Sequence, residues 1–133
     1  MENLLKNILK SEENINPPEI VKNAFKNCFY NPLNVEWYKL SDKFEVVFYE
    51  DELEKIAIFD EEGILLEENV NLGIELLPAQ VKITARKYGE IMNMIRIKRN
   101  NDILFEIIYR DNELLRYLLL IDKDGKVLRK EKL

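Results

Sequence analysis

The feature that most constrains this fold is a stretch of sequence that occurs twice. The first copy, residues 44–63, reads FEVVFYEDELEKIAIFDEEG. The second copy, residues 105–125, reads FEIIYRDNELLRYLLLIDKDG and contains one inserted residue. Internal similarity of this kind indicates one supersecondary unit used twice. We therefore expect two similar units along the chain.

Runs of alternating apolar and polar residues predict four strands in each half of the chain. Such alternation places successive side chains on opposite faces of a sheet. The connections between runs are short, and Asp60-Glu61-Glu62-Gly63 has the pattern of a type I turn. Each half is thus predicted to be an antiparallel meander. The predicted strands are 35–40, 43–50, 55–60 and 64–68 in the first half and 91–99, 104–110, 115–121 and 126–130 in the second.

A helix is predicted before each set of strands. In the first half Asn16 is a candidate cap, Pro17 suits the first helical turn, and Glu19 stands where a capping-box acid belongs. Pro78 opens the second helix at the position that Pro18 holds in the first. The apolar stripes expected to face the core are Ile20, Val21, Ala24, Phe25, Cys28 and Phe29 in the first helix and Leu77, Val81, Ala85 and Tyr88 in the second. Cys28 is accordingly expected to be a small buried hydrophobe.

These elements predict an α+β fold. It would be a tandem repeat of a helix plus a four-stranded antiparallel meander. A helix buries one stripe and a sheet one face, so each helix should pack on its sheet. We expect the halves, 17–70 and 77–131, to join into one broad sheet with both helices on one face. Residues 1–16 form a lead-in whose Leu4, Leu5, Ile8 and Leu9 predict a short helix docked on the body, with a frayed end as the alternative.

Composition excludes several classes of function. The chain has 133 residues, a net charge of −5 and no histidine, so it lacks the commonest general base and metal ligand. An acidic chain is a poor ligand for nucleic acid. Its single cysteine forbids an internal disulfide. The start shows no signal peptide and no run is long enough to insert in a membrane, so the chain as given reads as cytoplasmic.

The ordered set of motifs resembles the PepSY-like family, whose architecture is related to the β-lactamase inhibitor proteins. The resemblance covers residues 17–131. We expect the PepSY-like domain to extend to the last residue of the sequence, over residues 17–133. It implies a non-catalytic protein of the periplasm or cell envelope that binds or inhibits another protein through an open sheet face. The motifs that carry it are the helix from Pro18 through Phe25, Val35-Glu36-Trp37, Phe44-Glu45-Val46, the turn 60–63, Leu77-Pro78-Ala79-Gln80-Val81, Phe105-Glu106-Ile107 and the turn 122–125.

The alternation of side chains along each strand suggests which of them line that open face. If Trp37, Phe44, Val46 and Phe48 meet the helix, their neighbours point the other way. A mixture of tyrosines and both signs of charge suits a protein interface, and the alternative is an ordinary solvated face. The expected face comprises Glu36, Tyr38, Glu45, Val47 and Tyr49 in the first half and Arg96, Lys98, Glu106, Ile108 and Arg110 in the second.

Other chemistry has little support in the sequence. The stretches 60–63 and 122–125 lack the acid series of a calcium loop and are expected to be turns. We expect no catalytic residues, no metal and no cofactor, and hence no enzyme. The predicted function is a protein- or peptide-binding module, with inhibition as one form. The alternatives are a carrier of a small molecule or hydrophobic ligand and a self-associating structural protein; the sequence does not identify the partner.

Overall fold

A computed structural model describes residues 15–133 of the chain. The lead-in helix predicted from Leu4, Leu5, Ile8 and Leu9 lies outside the described residues. The chain divides into two compact units, and the division falls between Val70 and Asn71.

The first unit is a helix followed by a four-stranded antiparallel meander. Its core lies between the helix and one face of the strands and is strongly aromatic. The Phe25 ring makes edge contacts with Phe48 and Trp37, at centroid distances of 5.0 and 5.3 Å. Val21 and Phe48 are completely buried. The elements are α1 (Glu19–Cys28), β1 (Leu33–Leu40), β2 (Lys43–Glu50), β3 (Leu53–Phe59) and β4 (Leu65–Asn71).

The second unit repeats this plan after a short 3-10 helix. Val81 and Ala85 are the completely buried residues of its helix. In its third strand, consecutive Leu118 and Leu119 are both buried, as expected for an apolar strand covered on both faces. The elements are the 3-10 helix (Ile74–Leu76), α2 (Ala79–Arg86), β5 (Glu90–Arg99), β6 (Asp102–Arg110), β7 (Arg116–Asp122) and β8 (Val127–Lys132).

The predicted fold class is confirmed. Over the described residues, the strands form an antiparallel sheet in chain order, β1 to β8, with two α-helices. Within each unit, successive strands are neighbours because hairpin connections are too short to reach any other strand. The side chains predicted to face the helix in the first unit do so. Packed in the core beneath α1 are Trp37, Phe44, Val46 and Phe48.

The predicted start of α1 and the predicted burial of Cys28 are wrong. Asn16 does not cap the helix: Pro18 is the N-cap residue, and its carbonyl accepts from the amides of Val21 and Lys22 at 3.0 and 3.1 Å. Because the helix begins at Glu19, Pro17 precedes the first turn and Glu19 takes the first helical position instead of the capping-box position. The Asn16 side chain is then too far upstream to cap the helix. Cys28 is exposed, because Val21, Phe25 and Phe29 already complete the stripe that faces the sheet.

The repeated Asp-x-x-Gly turns fasten each meander to its helix. Gly63 and Gly125 have φ of +82° and +91°, a left-handed geometry that glycine adopts without strain. A Cβ added at Gly63 would lie 2.9 Å from the carbonyl oxygen of Ile20, in α1. A Cβ at Gly125 would lie 2.9 Å from that of Gln80, in α2. Both turns therefore need glycine for backbone geometry and for close contact with the helix.

Candidate partner-binding face

Cross-strand register defines the side of the first meander that faces away from α1. Residues directly opposite on neighbouring antiparallel strands share a face. Glu45 lies opposite both Tyr38 and Ile58, and Val47 lies opposite both Glu36 and Ile56. We call this side the acidic face; its residues are Glu36, Tyr38, Glu45, Val47, Tyr49, Glu54, Ile56, Ile58, Glu67 and Asn69.

The centre of the acidic face is withdrawn from solvent. Glu45 is 0% exposed, Ile56 is 1% exposed and Tyr38 is 6% exposed. The Tyr38 hydroxyl donates to Glu36 Oε2 at 2.6 Å, which satisfies a polar group that would be costly to bury alone. Tyr38 and Glu45 thus lie on the predicted face, but the expectation that they are open to a partner is wrong. Their mid-strand positions make them part of the packed centre.

The accessible part of the acidic face lies at its margin. Tyr49 is 38% exposed, and Leu33, directly opposite on β1, is 65% exposed. The Tyr49 hydroxyl lies 3.4 Å from Glu54 Oε2 on β3. Glu36 is also exposed. An aromatic ring, an aliphatic side chain and carboxylates therefore occupy one accessible margin, which we call the Tyr49 margin and define as Leu33, Glu36, Tyr49 and Glu54.

The acidic face carries a strong excess of negative charge. Its glutamates are Glu36, Glu45, Glu54 and Glu67, and no basic residue is among its members. Lys43 has the same strand parity but stands at the strand end, 3.4 Å from Asp42. Carboxylates grouped in this way favour positively charged ligands and repel phosphate groups.

A second charged group in this unit lies on the opposite side of the sheet and is structural. Lys55 Nζ contacts Glu50 Oε1 at 2.6 Å, and each side chain is only 13% exposed. The Tyr30 amide donates to Glu50 Oε2 at 2.7 Å. Burial would raise the pKa of Glu50, but these hydrogen bonds and the Lys55 charge outweigh it and lower that pKa below its ordinary value. The group ties the connection between α1 and β1 to the β2–β3 hairpin.

In the second unit, register corrects part of the predicted face. Arg96 lies opposite Phe105, and Lys98 lies opposite Ile103. Both basic residues therefore project to the Phe105 side, away from Glu106. The cause is an irregularity in β5 between Ile91 and Asn93, which shifts the pairing and reverses the parity.

The remaining predicted residues of the second unit lie on the expected side but are not freely available. Glu106 is 4% exposed and Ile108 is 8% exposed. Arg110 forms an ion pair with Glu90, its partner in the register of β5 and β6. Of the basic residues predicted for this unit, Arg96 and Lys98 thus lie on the other side of the strands, and Arg110 is engaged by Glu90. Glu36 and Tyr49 are the two that remain exposed on the predicted face.

Sequence reasoning missed the members of the face on the third and fourth strands. These are Glu54, Ile56 and Ile58 on β3 and Glu67 and Asn69 on β4. Their alternation is masked because β3 is apolar on both sides, with Ala57 and Phe59 facing α1. Counting from the turn between Glu50 and Leu53 assigns the members on β3, because the pairing of β2 and β3 is regular. The same count fails on β4, because the pairing of β3 and β4 shifts between Ile58 and Phe59.

The stretches 60–63 and 122–125 are turns, as predicted, and their first carboxylate accepts backbone hydrogen bonds. Asp60 Oδ1 accepts from the amides of Glu62 and Ile64, both at 2.9 Å. Asp122 Oδ1 accepts equivalently from Asp124 and Lys126 at 2.9 Å. Within residues 15–133, no group of three or more acidic or cysteine side chains is placed to hold a metal ion.

Comparison with known proteins identifies the architecture. No protein-family model matches the sequence. No curated protein matches it either. Among solved structures, a BLIP-like protein from Bacteroides fragilis is similar with a TM-score of 0.78 and 17% identity, over 90% of this chain and 88% of that one. A DUF2874 family protein from Bacteroides ovatus has a TM-score of 0.79 and 16% identity, over 89% of each chain.

A third solved structure is similar to the same extent. It is a protein from Bacteroides eggerthii with a provisional description as periplasmic, with a TM-score of 0.80 and 16% identity over 89% of this chain and 90% of that one. At these identities the similarities show the fold, which is BLIP-like. Neither helix in the described part of the chain has the length and apolar character that crossing a bilayer would require.

Proposed function

We propose that this protein is a non-catalytic binding module of PepSY-like type that holds a protein or peptide on its acidic face. The observation that carries the proposal is the Tyr49 margin. There Tyr49 and Leu33 are exposed side by side, next to the carboxylates of Glu36 and Glu54. Tyrosine is enriched at protein interfaces because its ring supplies apolar contact and its hydroxyl supplies a hydrogen bond.

The charge of the face suggests the chemistry of the partner. A ligand that offers an aliphatic or aromatic side chain to Tyr49 and Leu33 and a lysine or arginine to Glu36 or Glu54 would satisfy the whole margin. Exposed carboxylates at an interface chiefly increase the association rate and select the partner. Inhibition of that partner would follow if the bound surface includes its own active site, and the BLIP-like architecture supports this mode of action.

The proposed location is the periplasm or cell envelope. One structurally similar protein carries a periplasmic description, and the PepSY-like resemblance points to the same compartment. A tagged protein expressed from its natural start in the source cells should then be released with the periplasmic fraction. Recovery with the cytoplasmic fraction would contradict this assignment without affecting the proposed binding face.

The binding proposal can be tested with two double variants that change charge by the same amount. Tyr49→Ala/Glu54→Lys removes the ring and reverses a charge at the margin. Ile83→Ala/Glu113→Lys makes a comparable change at exposed positions of the second unit. Tyr38 is left intact because its burial would confuse lost binding with lost stability.

The partner would first be captured from fractionated source cells with the wild-type protein and identified. Its Kd would then be measured for all three proteins at equal thermal stability. We expect the margin variant to bind at least ~10-fold more weakly, a cost of about 1.4 kcal/mol, because tyrosine is enriched among the few residues that carry most of the binding energy of an interface. The control variant should bind like wild type. Equal affinity of all three proteins would contradict the proposed site.

A further inference from the structure

Three tyrosine rings of the second unit lie in contact with one another, and we call them the tyrosine cluster. The ring centroids of Tyr88 and Tyr109 are 5.6 Å apart, and those of Tyr109 and Tyr117 are 5.2 Å apart. Tyr109 is 2% exposed, whereas Tyr88 is 37% exposed and Tyr117 is half-buried. The cluster therefore has one buried ring and two rings that solvent can reach.

The backbone fixes the positions of these rings. Tyr109 and Tyr117 are directly opposite in the register of β6 and β7, so they share a face of the strands. Tyr88 lies just after α2, and its amide donates to the carbonyl oxygen of Ala85 at 3.1 Å. The next residue, Gly89, packs so closely on β6 that an added Cβ would lie 3.0 Å from Cδ2 of Tyr109. The fold thus assembles the cluster without the help of a ligand.

An ammonium group of the chain itself lies over the tyrosine cluster. Nζ of Lys130, on β8, is 5.6 Å from the centroid of the Tyr88 ring and 5.1 Å from that of the Tyr117 ring. Lys130 is exposed, and among residues 15–133 it makes no ion pair. A cation over an aromatic ring is attracted by the negative potential of the ring face. The two accessible rings therefore act together on one cation.

The first unit contains a structural form of the same contact. Lys55 Nζ lies 5.8 Å from the centroid of Phe29, whose ring packs on Phe48 at 4.7 Å. Glu50 binds that ammonium at 2.6 Å, and the Lys55 and Glu50 side chains are each 13% exposed. Lys130 has no such carboxylate in the described part of the chain. An exposed lysine held by rings alone is released readily, because this attraction is small in water and the long side chain regains rotamer freedom.

We propose that the tyrosine cluster is a binding subsite for the alkylammonium group of a ligand, and that Lys130 occupies it when no ligand is bound. A methylated ammonium suits the rings better than the primary ammonium of Lys130, because it is less strongly hydrated and offers more apolar surface. The group can come from a methylated lysine side chain of a polypeptide or from a free quaternary amine. The subsite lies entirely within the second unit and does not depend on the proposed function.

Titration with choline, a free quaternary amine, tests the subsite directly. NMR at constant ionic strength would follow the ring resonances of Tyr88 and Tyr117 and the ε-methylene protons of Lys130. We expect both rings to shift saturably, and the Lys130 protons to move toward the position of a free lysine side chain as the ammonium is displaced. The neutral isostere 3,3-dimethylbutan-1-ol should bind at least about 10-fold more weakly, because it has the shape of choline without the charge. Equal binding of the two compounds would overturn the proposal.

Matched lysine variants test the role of the internal occupant. Lys130→Ala removes the ammonium from the rings, and Lys126→Ala makes the same charge change at another exposed position of the unit. We expect choline to bind Lys130→Ala at least about 3-fold more tightly than wild type, because the subsite is then always free, and to bind Lys126→Ala like wild type. Unchanged resonances of the completely buried Leu119 would show that the fold is retained.

A ring variant completes this test. Adding Tyr88→Leu to Lys130→Ala should weaken choline binding at least about 10-fold, because leucine keeps an apolar side chain but removes the ring. Absence of a saturable shift of Tyr88 and Tyr117 in folded Lys130→Ala would overturn the proposal. Equal tightening of choline binding by Lys130→Ala and Lys126→Ala would also overturn it, since the effect would then be one of net charge.

A second ligand distinguishes the two sources of the ammonium group. A short peptide with one trimethyllysine would be titrated beside choline. Tighter binding of the peptide would support a polypeptide source, and tighter binding of choline would support a free amine. The variants also separate this subsite from the proposed function: Lys130→Ala leaves the Tyr49 margin intact, and Tyr49→Ala/Glu54→Lys leaves the tyrosine cluster intact. Either proposal can therefore fail alone.

Discussion

Replacing Gly63 by alanine should destabilise the first unit through two effects that the structure separates. Gly63 has φ of +82°, where a residue with a Cβ is strained by about 1–2 kcal/mol. The new Cβ would also lie 2.9 Å from the carbonyl oxygen of Ile20 and 3.3 Å from the Cβ of Ala24. Both atoms belong to α1, so relief requires the turn to move away from the helix. We expect a total cost of about 2–4 kcal/mol.

The other glycines provide an internal comparison. Gly125 has φ of +91° and the same 2.9 Å approach to a helix carbonyl, that of Gln80, so its replacement should cost a similar amount. At Gly73 the backbone is extended, with φ of −78°. There the nearest atom is Oε1 of Glu75, at the flexible end of a side chain. Gly73→Ala should therefore be within about 1 kcal/mol of wild type and can be slightly stabilising.

Urea unfolding at 25 °C, followed by circular dichroism and by fluorescence of the single tryptophan, Trp37, would give the three free energies. A cost at Gly63 of less than about 1 kcal/mol, or one no larger than at Gly73, would refute the reasoning that these turns are locked against the helices.

Two further predictions concern titrating groups of the first unit. The pKa of Glu50 is lowered in the folded protein because its hydrogen bonds from Lys55 and Tyr30 and the Lys55 charge outweigh the effect of burial. Its contribution to stability is therefore fully present above its ordinary pKa of 4.5 and is lost as the pH falls through the folded-state pKa. The difference in unfolding free energy between wild type and Glu50→Gln should shrink on acidification, and a constant difference would contradict the assignment. The pKa of Cys28 is raised from its ordinary value of 9.0 by partial burial and by the negative charge of Glu68. Alkylation by iodoacetamide at pH 7 should thus be slower than that of free cysteine although Cys28 is exposed, and Glu68→Gln should accelerate it; a rate equal to that of free cysteine would count against this.

Local patterns in the sequence were sufficient for the elements and their order. Alternation in residues 43–50 placed Phe44, Val46 and Phe48 beneath the helix because strand geometry has a period of two whatever the surroundings. The proline-started helices and the Asp-x-x-Gly turns are likewise local features. The duplication of residues 44–63 then indicated that the plan is used twice.

The binding face could be predicted only in part. Glu36 and Tyr49 were placed on the correct side and are exposed. Arg96 and Lys98 are predicted on the wrong side. The pairing of β5 with β6 shifts between Ile91 and Asn93, and beyond this shift each side chain of β5 points to the opposite face of the sheet. Cys28 was expected in the core because helical spacing defines a broad stripe, whereas the sheet beneath accepts only the narrower row of Val21, Phe25 and Phe29.

The sequence alone determined the strands, the helices, the turns and the repetition of one unit, since these depend on periodicity and on the backbone preferences of glycine and proline. Tertiary structure decided which side chains of a correctly assigned face are accessible. Tyr38 and Tyr49 lie on the same side of neighbouring strands, yet Tyr38 is 6% exposed and Tyr49 is 38% exposed. Periodicity fixes the direction of a side chain, but burial depends on what lies above it, and that is set by packing between parts of the chain that are distant in sequence.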